Sequence, residues 1–246
     1  LDAKVYDTGM ICIIEIMGRN AGWLAGAASL AAGADCNGPD IILLPERPFD
    51  ENVFLEKVAQ LEKDRHNVII AASEGVKNKD GVFLCDLVST AGQLDAFGHK
   101  AILSGTSRYL ADLIHVRLGC KTRAIEFSTL QRCASHLASA TDQSEAFALG
   151  EHAVLLAEEG VTASMVTLTR TSNTPYAVAY DHAPIRGIAN EAKSIPREWI
   201  NAHGNDIRQE LYNYLYPLIQ GEVSLTYQNG VPVYMPVPHL KPDHIS

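Results

Sequence analysis

The chain has 246 residues, 47% of them apolar, and a formal net charge of −9. That length can bury a sizeable core, in one large domain or in a domain plus an appendage. The acidic balance excludes a generic nucleic-acid or anionic-membrane surface, and no run of about 18 apolar residues offers a membrane span. An anionic small molecule stays open, because the field inside a pocket can oppose the sign of the whole molecule. The five cysteines, Cys12, Cys36, Cys85, Cys120 and Cys133, are odd in number, scattered and without a CxxC pair. Reduced, mostly buried thiols in a cytoplasmic protein are expected from that pattern.

The text LDAKVYDTG has no initiator Met and leads into an apolar strand within about ten residues, so residues preceding Leu1 are expected. Met10–Ile16, MICIIEI, is a continuous apolar run of the kind a parallel strand shows when both faces are covered. MGRN follows it, and from about Ala21 to Gly33 the small residues of AGWLAGAASLAAG predict a helix that packs closely on a sheet. Ile41–Leu44 is a second buried strand, stopped by Pro45. Phe54–Asp64 has apolar residues at helical spacing with charges between them. Val68–Ala72 is a third strand, ending at Ser73-Glu74-Gly75. This alternation implies a parallel sheet with right-handed crossovers.

Beyond the polar turn Lys77–Gly81, the stretch Phe97–Leu118 is partly amphipathic and predicts a helix closed by Gly119. Arg123–Phe127 begins the next strand, Asp142–Glu159 is a long helix ending at Gly160, and Met165–Thr169 is a further strand. The chain then changes character. SNTPYAVAYDHAP and IPREWI lead to a helix over Asp206–Leu215, and the tail reads as a hairpin around Asn229-Gly230.

Ligands of parallel α/β sheets bind at the carboxyl ends of the strands. Three such ends carry polar residues that architecture does not require: Gly18-Arg19-Asn20, Ser73-Glu74-Gly75 and Ser128-Thr129-Leu130-Gln131-Arg132. Guanidinium forks match phosphate oxygens bidentately, at on the order of 1.5–3 kcal/mol per charged hydrogen bond. A carboxylate cannot favour phosphate but accepts well from sugar hydroxyls, so a sugar phosphate is the ligand class these residues suggest. Each piece also has a plain structural reading. Gly18 serves a tight turn, Arg19 is a solvated helix-start residue, Glu74 is a surface carboxylate, Arg132 bridges to Asp142 or Glu145, and His136 is a packed helical histidine. The sequence GRNAG lacks the GxGxxG dinucleotide fingerprint, no His/Cys/Asp cluster has metal spacing, and no GxSxG context occurs.

Those residues carry a resemblance. IIEIMGRNAGWLAGAA resembles the strand–turn–helix of the phosphofructokinases, and the likeness runs collinearly through LLPERPFDE, IIAASEGV, DAFGHKAILSG, TLQRCASHLASATD, IPREWI and ELYNYLYPLIQGE. The insertion from about Lys77 to Leu118 and the C-terminal extension resemble the pyrophosphate-utilising branch more than the compact ATP enzymes. The resemblance implies a three-layer αβα parallel-sheet fold with a helical and hairpin C-terminal extension. An acceptor-binding lobe would span residues 1–170. Residues 171–246 would form an extension packed on that lobe or on an absent N-terminal domain.

The resemblance also assigns roles. Met17, Gly18 and Arg19 would hold fructose 6-phosphate, Glu74 would accept from sugar hydroxyls, and Arg132 would clamp the 6-phosphate. Arg123 matches an arginine that, in the ATP enzymes, reaches into a neighbouring subunit's site. Thr129 stands where ATP enzymes have a histidine and some pyrophosphate enzymes a tyrosine, and Met10 where ATP enzymes have another cross-subunit arginine. The family's donor loop, its magnesium aspartate and its TIDND-like segment with the catalytic base all precede MGR, so no catalytic or metal-ligating residue is expected in this chain. It would supply the acceptor half of a pyrophosphate-dependent enzyme, inactive alone, with Mg²⁺ held elsewhere and a homodimer or homotetramer as the assembly. Alternatives are the ATP-dependent enzyme and a non-catalytic sugar-phosphate-binding module.

Overall fold

A computed structural model of the chain describes residues 9–65, 67–87 and 104–234. Its centre is a four-stranded sheet built from β1 (Met10–Ile16), β2 (Ile41–Leu43), β3 (Asn67–Ser73) and β4 (Lys121–Glu126), in the order β2-β3-β1-β4 with every pair parallel. The apolar runs alternate between two cores. Ile11, Ile13, Ile41, Leu43, Val68 and Ile70 meet α2 (Glu51–Asp64) and α3 (Thr106–Leu118) on one face. On the other face Ile16, Ile42, Leu44 and Ala71 meet α1 (Trp23–Ala27) and α5 (Gln209–Leu215), with Ile195 and Ile200 between them. These are the three layers expected, and segments from beyond residue 190 complete one of them.

The helices follow local chemistry. Asp50 caps α2 by accepting from Asn52 N at 3.1 Å and Val53 N at 3.3 Å, which starts the helix three residues before the Phe54 expected from periodicity. α3 ends as expected at Gly119, whose φ of 70° suits a residue without Cβ. The start expected for this helix at Phe97 lies outside the described residues. The small-residue helix is shorter than predicted: after Ala27 it tightens into a 3₁₀ turn over Ala28–Ala31. Ser29 donates its hydroxyl to the Gly26 carbonyl at 2.8 Å, and α1 has no side-chain cap, so little local chemistry prolongs it.

Beyond β4 come two 3₁₀ turns, Ser128–Arg132 and Ser135–Leu137, then α4 (Ala140–Glu158), capped by the Ser139 hydroxyl. His136, expected as a packed helical residue, is exposed on the second turn. The strand read at Met165–Thr169 does not join the parallel sheet. It extends over Ser164–Asn173 as β5 and pairs antiparallel with β6 (Tyr176–Pro184), crossing positions 170 and 171. The tail forms the expected hairpin, β7 (Tyr227–Gln228) and β8 (Val231–Pro232), around Asn229 and Gly230 at φ 52° and 81°. The extension also covers a sheet edge, since the Asn205 carbonyl accepts from Ile42 N at 3.0 Å. Of the five cysteines only Cys85 is buried, so the expectation of mostly buried thiols fails.

Candidate functional site

Parallel pairing puts the carboxyl ends of β1, β3 and β4 on one rim, and short hydrogen bonds stitch them together. The chain leaves β1 through Met17 and Gly18. Met17 N donates to the Gln131 Oε1 atom at 3.1 Å, and Gly18 N donates to Glu74 Oε1 at 3.2 Å. The Ser73 hydroxyl donates to the Gly18 carbonyl at 2.5 Å, and Glu74 N donates to the Ile16 carbonyl at 2.9 Å. Gly18 has a φ of 154°, and a Cβ there would come within 2.7 Å of the Ala21 carbonyl oxygen. A Cβ on Gly75 would lie 2.0 Å from the Arg19 carbonyl oxygen. The two turns therefore approach too closely for side chains at either glycine.

Between the three ends lies a cleft of about 770 Å³, and Met17, Gly18, Arg19, Glu74, Thr129 and Arg132 all line it. Six of the seven residues singled out from the sequence are thus brought together. Arg123 is the exception: it sits partway along β4, paired in register with Cys12, and exposed to solvent outside the cleft. Arg132 stands on the ridge shared with a second, more apolar groove of about 1440 Å³ that runs past Trp23, Leu137 and Leu218. Among the described residues no ion pair joins Arg132 to Asp142 or Glu145. Glu145 instead accepts from the Tyr176 hydroxyl, whose pKa burial and that carboxylate push up to about 12.

Sequence reasoning missed several participants. Gln131 lines the cleft and holds Met17 N. Glu126 lines it too, accepting from the Ser104 hydroxyl at 2.5 Å. Glu15 is 4% exposed, and burial pushes its carboxyl above the ordinary 4.5, with the neighbouring Glu126 charge adding to the rise. A charge inside MICIIEI was the available signal for Glu15. Gln131 stood in the polar run after β4 but no role could be read for it, because that role depends on a backbone N–H from another strand end.

Chemically, the cleft combines the guanidinium groups of Arg19 and Arg132 with three carboxylates. Glu15 and Glu126 bond to Ser104–Ser107, and Glu74 keeps one oxygen beyond its bond to Gly18 N. Such a set can meet anionic groups through the arginines and hydroxyls through Glu74. A parallel α/β protein with a polar cleft at its strand ends is the class that fold and site define. The phosphofructokinase family model matches residues 3–157, and the chain belongs to that family.

Among curated relatives, the pyrophosphate–fructose 6-phosphate 1-phosphotransferase of Halomonas elongata is 40% identical over 90% of this chain and 52% of its own length. The enzyme of the same name from Xanthomonas campestris is 40% identical over 95% of this chain and 55% of its own. The crystal structure of the pyrophosphate-dependent phosphofructokinase from Marinobacter aquaeolei superposes with a TM-score of 0.77 at 32% identity, covering 96% of this chain and 56% of that one. The chain therefore spans about half the length of the relatives it matches.

Among the described residues, no group of three or more His, Cys, Asp or Glu could hold a metal ion. No helix is long and apolar enough to cross a membrane.

Proposed function

We propose that the chain is the fructose 6-phosphate-binding part of a pyrophosphate-dependent phosphofructokinase. The observation that carries this is the convergence of Met17–Arg19, Glu74 and Thr129–Arg132 on one cleft from three separate strand ends. Arg132 and Arg19 take the 6-phosphate through paired N–H donors, and Glu74 accepts from sugar hydroxyls while its other oxygen stays on Gly18 N. The chain's contribution is to hold the acceptor so that its 1-hydroxyl faces the phosphoryl donor, a positioning role in a reaction governed by placement and charge. Mg²⁺, which would neutralise donor charge, finds no ligand cluster among the described residues. It belongs with the donor-binding part of the intact enzyme, and the chain by itself is inactive. Pyrophosphate is the donor we favour, following the relatives' names.

Assembly as a homodimer or homotetramer is part of the proposal, supported by exposed Phe147, Val154, Tyr216 and Ile219. Thr129 sits on the cleft wall, exposed; Arg123 lies away from the cleft and is assigned to a neighbouring subunit's site. Light scattering on the intact protein at micromolar concentration should show an oligomer, and a strict monomer would remove that part. The main test assays the intact protein with fructose 6-phosphate and either donor. Turnover with pyrophosphate and not with ATP is expected. The reverse result assigns the ATP-dependent activity, and sugar binding without turnover on either donor assigns a non-catalytic module.

A further inference from the structure

An ionisable carboxyl in the interior costs folding free energy unless the fold uses it. Glu15 is the one acidic side chain among the buried residues described, and acceptor binding as proposed above does not use it. Its carboxylate accepts from Gly105 N at 3.3 Å and from Ser107 N at 2.8 Å, free donors at the start of α3, some ninety residues away in sequence. α3 has no side-chain cap of its own, because Gly105 occupies that position. A local Ser or Asp would cap the helix equally well. A carboxylate from β1 does something a local cap cannot, which is to tie the helix to a strand end.

Ser104–Ser107, the segment that carries these two donors, also reaches the other two strand ends. The Ser104 hydroxyl donates to Glu126 at the end of β4 at 2.5 Å, and the Thr106 hydroxyl donates to the Glu74 carbonyl after β3 at 3.1 Å. Ser104–Ser107 therefore clasps all three ends that build the cleft. Glu74 passes the constraint on, since its carboxylate holds Gly18 N at 3.2 Å. The buried polar side chains described are Glu15, Ser73, Thr106 and Ser107. All of them lie in this junction or, as Ser73 does, at the Gly18 turn.

We propose that Glu15 is a positioning residue for the acceptor cleft: from a nearly buried place in the cleft wall it anchors the start of α3 and so sets Glu74 and the Met17–Arg19 turn. The proposal rests on reading the cleft as a fructose 6-phosphate site. Glu15→Gln keeps the side-chain shape but loses the charge and one acceptor oxygen, so the helix start is held less firmly. Thr106→Val removes only the hydroxyl that grips the Glu74 carbonyl, at a position fully buried beneath the cleft. Both variants alter how firmly Glu74 is placed; Thr106→Val leaves every side chain that lines the cleft unchanged, and Glu15→Gln changes one lining side chain that is only 4% exposed.

The test uses the intact protein and measures calorimetric affinity for fructose 6-phosphate, KM for each substrate, kcat and thermal midpoint. Glu15→Gln is expected to raise Kd and KM for the sugar phosphate about five- to thirtyfold, with kcat and the KM for pyrophosphate within about twofold, the signature of lost uniform binding. Thr106→Val should shift the same two quantities in the same direction by about three- to tenfold, and it serves alone if Glu15→Gln fails to fold. Unchanged sugar affinity in both variants overturns the proposal. So does a fall in thermal midpoint accompanied by equal losses for both substrates, the mark of a purely structural carboxylate. Failure of the unaltered protein to bind fructose 6-phosphate would instead remove the cleft reading, and the proposal with it.

Discussion

The parallel lobe and the α4–β5–β6 region each carry a long helix about half apolar, α3 and α4, yet they bury very different amounts. In the lobe Ile13, Val58, Val68, Ile70, Leu110 and Ile114 are 0% exposed. α4, 19 residues long with apolar and polar residues intermixed around it, has no buried residue, and Phe147 on it is 75% exposed. β5 and β6 pair with each other through nine register positions, but Met165 remains 43% exposed. The lobe's strands have neighbours within the chain on both faces, whereas the ribbon and α4 have few elements to pack against. Elements can thus form from local pattern while their burial waits on partners.

The largest effect expected sharpens that contrast. Phe54→Ala, on the buried face of α2, should lower unfolding free energy by about 3–5 kcal/mol in urea titration of this chain. A loss below about 1 kcal/mol would mean that the lobe core is not the main source of stability.

Next in size is Arg132, at the junction of the two regions. Arg132→Ala in the intact protein should weaken fructose 6-phosphate binding by about 2–4 kcal/mol, roughly thirtyfold to several-hundredfold, because a phosphate dianion loses a bidentate partner. Thermal stability should change little, since no ion pair to Asp142 or Glu145 is present among the described residues. An unchanged sugar affinity with a lowered melting temperature would place Arg132 in the structural frame instead.

A smaller effect lies in pH. Burial raises the Glu15 carboxyl above 4.5, so the folded chain holds this proton where the unfolded chain has released it. The associated stability is present below about 4.5 and is lost as pH rises through the raised folded value. The stability of the unaltered chain relative to Glu15→Gln should therefore decline with rising pH across that window, measured by urea unfolding at several pH values. Stability of the unaltered chain that rises with pH relative to Glu15→Gln would contradict the assignment. Glu126→Gln, which removes the neighbouring charge, should move the window downward.

The smallest effect tests the exposed side of the comparison. Phe147→Ser should change the stability of this chain by less than about 0.5 kcal/mol, because the ring is already in water. A cost above about 1.5 kcal/mol would show that α4 is packed in solution.

Much of this molecule could be read from local pattern. MICIIEI and VIIAA read as buried strands because mostly apolar runs suit a sheet covered on both faces, and Gly119 read as a helix stop because αL backbone favours glycine. The rim residues Gly18, Arg19, Glu74 and Arg132 were legible because polar side chains directly after buried strands have few architectural reasons to be there. Tertiary structure decided the rest. It paired β5 with β6 instead of adding β5 to the sheet, left Arg123 outside the cleft, and brought Gln131 to Met17 N across 114 positions. It also turned Glu15, an anomaly inside a strand, toward the first turn of α3. Periodicity records which way a side chain faces along its own element. Which backbone N–H waits there depends on how distant elements pack.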